Sequence, residues 1–268
     1  MIVNTLYKEF GVRETLKDLF RQGLFRGCVS RCAFVCALPR SGSLYFANKM
    51  SQVLGYRVAN PCLHFGDVYP EMDAVRYRRV VRKRVVCWTH LVATRKNVDW
   101  WSEFSVKPLV LVRNPVNAVL SAGRGVPEER GRSWAGFEGL PSNFERLVGD
   151  DRVSCLIDCL LPKYLWWLDQ WVEWKDCALD FVRYEDWSDD SDNLALALSS
   201  VLYKIPGFKR YSVNPYEAVR SDKKEDLLHT SKVHCDWSTL PDDLRLRAEA
   251  VLSHPWKGLE IFGYAAKV

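Results

Sequence analysis

Hydrophobic positions recur along the chain with more than one period. Val12, Leu16, Leu19, Phe20 and Leu24 fall at close to helical spacing, which predicts a leading helix over 12–25 inside an N-terminal segment 1–27. "CAFVCAL" at 32–38 is a short unbroken apolar run between basic residues and a proline, the pattern of a strand buried on both faces. Leu44, Ala47, Met50, Ser51 and Leu54 then share one stripe, so a helix is predicted from Gly42 to Gly55.

The alternation continues downstream. "VVCWTHL" at 85–91 and "PLVLVR" at 108–113 read as further buried strands. "NPVNAVLSAG" at 114–123 follows as a helix, with Asn114 as its cap and Pro115 in the first turn. The tryptophan-rich stretch 155–175 predicts one long helix, "ALDFVRY" at 178–184 a fourth strand, and "DNLALALSSVLYKI" at 192–205 another helix. Strands alternating with helices imply an α/β three-layer sandwich with a mostly parallel central sheet covered on both sides. With no repeat or low-complexity linker, residues 1–268 read as one domain, and the long glycine- and charge-rich stretch 124–150 as a lid or acceptor loop.

Composition narrows this picture. A chain of 268 residues that is 48% hydrophobic can bury a large core, which argues against disorder. Its eleven Trp, eleven Tyr and twelve Phe serve core packing and would also suit a pocket for a flat apolar ligand. A net charge of +5 falls short of a nucleic-acid footprint, so no nucleic-acid partner is expected. The excess comes from "VRYRRVVRKR" at 75–84, which reads first as a solvated face, although beside a pocket it would draw in anions.

Nine cysteines without paired C-x-x-C units fit neither a zinc site nor a disulfide framework, so no metal is expected and the thiols read as reduced. Charges run through the apolar positions of the first twenty residues, unlike a signal-peptide core. Asp158, Lys163, Asp169 and Glu173 interrupt the most apolar later stretch, so no membrane span is expected. The reading is a soluble, cytoplasmic protein.

The first strand-to-helix corner, "LPRSGSLY" at 38–45, carries the chemistry. Such a corner aims backbone N–H groups and the positive end of a helix dipole at one spot, which suits an anion. Against the P-loop pattern G-x-x-x-x-G-K-S/T, Ala37 stands for the first glycine, Ser43 for the lysine and Leu44 for the metal-binding hydroxyl. Cleavage of Mg-ATP is therefore poorly supported. Arg40 supplies a guanidinium fork beside the turn, which suits an anionic nucleotide handled without metal.

These residues resemble the sulfotransferases that use 3'-phosphoadenosine-5'-phosphosulfate (PAPS). "PRSGS" at 39–43 is similar to that family's P-K/R-S-G-S/T loop for the 5'-phosphosulfate. "RNPVNAVLS" places Arg113 and Ser121 at the spacing of its R-x-P-x(5)-S motif for the 3'-phosphate. "VVCWTHL" resembles the strand whose K-T-H-L end supplies the catalytic base, and "FVRYEDW" at 181–187 resembles a segment whose tyrosine contacts adenine. The matches run over roughly 30–205, with a fainter echo near the C-terminus.

The resemblance implies a P-loop NTPase-like α/β fold, PAPS as co-substrate without metal, and a small-molecule or glycan acceptor. It implies His90 as general base, with His64 and Glu71 as fallbacks. Arg40 would meet the phosphosulfate and departing charge together with the backbone of Ser41, Gly42, Ser43 and Leu44. Arg113 and Ser121 would take the 3'-phosphate, and Tyr45 and Tyr184 the adenine. Trp88 departs from the family's lysine before T-H-L, and "TSKVHCDW" at 230–237 is a degenerate form of its closing loop, in which Lys232 is a cation without an assigned role. The alternatives are a catalytically weak PAP- or PAPS-binding protein of the same fold and a P-loop small-molecule kinase.

Overall fold

A computed structural model describes residues 32–61, 72, 74–124, 140–205, 212–220 and 237–264. The helix expected over 12–25, His64, Glu71, Lys232 and most of the 124–150 stretch lie outside them.

The chain opens with β1 (Ala33–Ala37) and α1 (Ser43–Leu54), followed by β2 (Arg57–Ala59), α2 (Ala74–Val80) and β3 (Val85–Thr89). Next come α3 (Arg95–Glu103), β4 (Leu109–Val112), α4 (Pro115–Arg124), α5 (Gly149–Cys159), α6 (Leu161–Glu173) and β5 (Asp180–Arg183). The order ends with α7 (Ser191–Leu202), α8 (Pro215–Arg220), α9 (Asp242–Leu252) and α10 (Lys257–Ile261). The five strands form one sheet in the order β2-β3-β1-β4-β5, and all four pairings are parallel.

Alternation along each strand builds two cores. Phe34, Cys36, Cys87, Val110 and Phe181 face the side covered by α4, α5 and α6 with Trp101, Tyr164 and Trp171. Val35, Ala37, Val86, Leu111 and Val182 face the side of α1 and α7, with Phe46, Met50 and Leu198. Because both faces are covered, β1 and β4 are buried at every position, which is why they read as unbroken apolar runs. The helix after β1 and the helix after β4 pack on opposite faces, so the order reverses between these neighbouring strands. In open α/β sheets ligands bind outside the carboxyl ends of the strands at that point.

The expected long helix over 155–175 is two helices, Gly149–Cys159 and Leu161–Glu173, meeting at Leu160. Pro162 explains the break, because it has no N–H to give the carbonyl of Asp158 and its ring would strike that carbonyl. The expected loop over 124–150 is also shorter at its far end, where Phe144 is buried and α5 already starts at Gly149. Tryptophans of α6 are core residues, with Trp171 stacked on Trp101 at 5.3 Å.

Helix α10 crosses α6 at a position that admits no side chain. A Cβ on Gly258 would lie 2.5 Å from Leu168 Cβ and 3.0 Å from its carbonyl carbon, while the Gly258 N–H donates to Asp169 at 2.7 Å. Gly258→Ala is expected to lower stability by about 1–3 kcal/mol. A urea titration checks this as a lower midpoint with unchanged slope.

Candidate active site

The corner after β1 is built by two left-handed residues. Leu38 still pairs with β4, its N–H donating to Leu111 O at 2.9 Å, and the Ser41 N–H and hydroxyl both return to Leu38 O. Arg40 (φ 68°) and Gly42 (φ 70°) turn the chain into α1. No side chain caps α1 and no acid stands in its first turn, which leaves the positive helix end open to an anion.

A non-glycine residue in the left-handed region costs about 1–2 kcal/mol. Arg40→Gly is therefore expected to be no less stable than the parent, or up to about 1 kcal/mol more stable after the unfolded-state entropy of glycine. Calorimetry reads the shift directly. Gly42 has a second reason to lack a side chain, since its Cβ would sit 2.7 Å from the Trp187 ring and 3.1 Å from that of Tyr184.

Arg113 leaves β4 toward the same corner. Its side chain is buried, with one guanidinium nitrogen donating to Arg40 O at 2.6 Å and the guanidinium carbon 4.2 Å from the centre of the Tyr184 ring. The Arg113 Nε is buried without a hydrogen-bond partner among the described residues. Arg40 reaches over α4, donating from Nε to Ser121 Oγ at 3.4 Å and from a terminal nitrogen to Ser121 O at 3.1 Å. The two motifs, 73 residues apart at Arg40 and Arg113, thus meet at one point.

The start of α4 is fixed independently. Asn114 Oδ1 accepts from Val116 N (3.0 Å) and Asn117 N (3.2 Å), the expected cap. Glu185 accepts from the Asn114 N–H and from the Tyr264 hydroxyl, each at 2.8 Å, tying the α4 start to β5 and the C-terminal segment.

His90 follows β3 and lies beside the end of β1, with Nδ1 2.8 Å from Ala37 O. A carbonyl can only accept, so Nδ1 carries the hydrogen and the Nε2 lone pair is left free. Burial is the main cause that lowers the imidazole pKa below its ordinary 6.5; the Ala37 bond opposes it and the Arg40 charge adds to it. The ring is therefore neutral at neutral pH. Trp88 meets its edge at 5.8 Å, and the Trp167 indole N–H donates to His90 O at 3.1 Å.

No family model matches this sequence, and no curated protein does. Among solved structures, mouse sulfotransferase SULT7A1 complexed with PAP superposes with a TM-score of 0.54, covering 93% of this chain and 94% of that chain at 17% identity. The chain has the sulfotransferase fold.

Within that sulfotransferase fold, Arg40, Ser41, Gly42, Ser43, His90, Arg113, Ser121 and Tyr184 gather around the corner between β1 and β4. Leu44 lies there through its backbone only, its side chain being 48% exposed. Tyr45 stacks on Trp187 with ring centres 6.5 Å apart, and Tyr184 meets the same indole edge-on at 5.1 Å. Trp187, not singled out in the sequence, is thus the centre of this aromatic wall.

Tyr164 is the other residue that sequence reasoning missed. Its hydroxyl is buried with no hydrogen-bond partner among the described residues, and burial pushes its pKa up against the pull of Arg40 and Arg113. It therefore stays protonated, a fixed donor beside two guanidinium groups. Its place on a buried stripe with Leu161, Leu165 and Leu168 made it read as core.

Proposed function

We propose that the protein transfers a sulfuryl group from PAPS to an acceptor hydroxyl or amine. The observation that carries this reading is the meeting of Arg40, Arg113 and the uncapped start of α1 at the sheet's reversal point, beside a neutral imidazole. The Arg113 Nε and Tyr164 hydroxyl are buried donors without acceptors among the described residues, and a nucleotide with phosphates at both ends supplies acceptors. When bound, the donor supplies the sulfuryl group, its sulfur–oxygen bond to the 5'-phosphate breaking as the bond to the acceptor forms.

Arg40 and the N–H groups of Gly42, Ser43 and Leu44 meet the charge that grows on the departing 5'-phosphate, while the Ser41 N–H is engaged by Leu38 O and holds the turn. This is preorganised stabilisation of the kind that supplies most of the rate in group transfer. Arg113 and Ser121 hold the 3'-phosphate, and the Tyr45, Trp187 and Tyr184 wall lies against the base. His90 Nε2 takes the acceptor's proton, its ring held by the Ala37 carbonyl.

The kinase reading lacks a metal-binding hydroxyl at Leu44. Adenosine 3',5'-bisphosphate without Mg²⁺ is expected to raise the melting temperature, with about 2.7 kcal/mol of added stability at one hundred times Kd. A shift that appears only with Mg-ATP would sink the proposal. Trp88 in place of a cation favours a second reading, a protein that binds the nucleotide without transferring sulfate. Bisphosphate binding with no transfer or hydrolysis of labelled donor over an acceptor panel would favour it.

A further inference from the structure

The basic run at 75–84 is not part of this site. Arg78 and Arg79 stand exposed on the second half of α2, and Arg82, Lys83 and Arg84 on the turn into β3. Arg57, also exposed, opens the edge strand β2 against them, its N–H donating to Arg84 O at 3.3 Å and its Cα paired with Val85. Since the strands are parallel, these residues lie at the amino-terminal edge of the sheet, whereas Arg40, His90 and Arg113 follow the carboxyl ends. A five-residue strand separates the two edges by about 17 Å. The cations therefore do not border the anion corner.

Gathering like charge opposes folding unless something answers it. Among the described residues, none of Arg57, Arg78, Arg79, Lys83 and Arg84 forms an ion pair. Glu103 on α3 adds to the field at Tyr77, a buried residue of α2. The Arg78 guanidinium is held 5.0 Å over the Trp100 ring, and Val75, one turn before Arg78 and Arg79, is 58% exposed.

We propose that this face docks on membrane surfaces bearing anionic phospholipid. A cluster of about four to eight cations on a short amphipathic helix is what such a surface attracts. Helix, turn and edge strand present their cations together with an exposed valine, which suits a plane of headgroups. Nucleic acid fits less well, because on this helix and its neighbour Tyr77 is fully buried and Trp100 lies under Arg78, so neither ring is open for a base to stack on. Binding through a basic cluster of this kind is reversible and weakens with salt.

The test sediments the full chain with vesicles of phosphatidylcholine alone or with added phosphatidylserine, at low and high salt. The chain is expected to follow the phosphatidylserine vesicles at low salt and to leave them at high salt. Arg79→Glu, Lys83→Glu and Arg84→Glu combined should weaken apparent affinity more than about tenfold. The same three changed to Gln serve if the reversed variant loses its melting transition. Equal binding to both vesicles, parental binding by the variant, or binding to duplex DNA or heparin with none to phosphatidylserine would overturn the proposal. Because the patch and the anion corner lie at opposite sheet edges, the variant is also expected to keep its response to bisphosphate.

Discussion

His90→Ala is expected to lower sulfuryl transfer by about 10²–10⁴-fold, the range typical of losing a positioned base. Bisphosphate affinity should hold, since the imidazole touches Ala37 O and Trp88 rather than the guanidinium pair. His90→Asn keeps a side-chain N–H for the Ala37 carbonyl without a basic lone pair, so it should lose activity while recovering any stability that alanine costs. The sign of the pH dependence follows from burial. A depressed folded-state pKa keeps Nε2 ready to accept a proton down to pH below 6.5, and activity falls as pH drops through that lowered value. Stability follows the same direction, because the unfolded chain takes up the proton first; what the neutral ring contributes is present above 6.5 and lost on acidification. A pH–rate profile that His90→Ala leaves unchanged in shape and height would refute the assignment.

Arg113→Met should cost about 2–5 kcal/mol of bisphosphate binding, the usual loss when one partner of a buried charged contact is removed. Methionine fills similar volume and removes a buried charge whose Nε has no partner among the described residues, but it also removes the donor to Arg40 O and the cation over Tyr184, so the stability of the ligand-free protein should change by no more than about 1–2 kcal/mol. Calorimetric titration and melting separate these two effects. Affinity within about threefold of the parent would mean that the 3'-phosphate is not held at Arg113.

The fold was legible where burial is complete. β1, β3 and β4 are parallel strands covered on both faces, and continuous apolar runs are what that environment demands. β2 was not legible, being three partly exposed residues at the sheet's edge. Helix α3 was missed because only Asn97, Val98 and Trp101 of its nine residues are buried. The α5–α6 break escaped because Pro162 sits inside an apolar stretch whose periodicity continues on both sides. Arg40, His90, Arg113 and Tyr184 each follow a strand closely, so placing the strands also placed these candidate residues at one edge of the sheet. Tyr164 and Trp187 were not legible, since a ring on a buried face looks the same whether it packs or binds.

The sheet order also bears on how long the native state lasts. Arg40, His90, Arg113 and Tyr184 come from four neighbouring strands, and the connections between them run to about seventy residues. Pairing of this kind is non-local and completes late in folding. An anion that touches several of these loops at once finds no partial version of its site in a half-assembled chain. Its effect should therefore fall on the rate of unfolding, leaving the rate of folding almost unchanged. The bound nucleotide would act as a removable staple across the crest of the sheet, lengthening the protein's survival between openings.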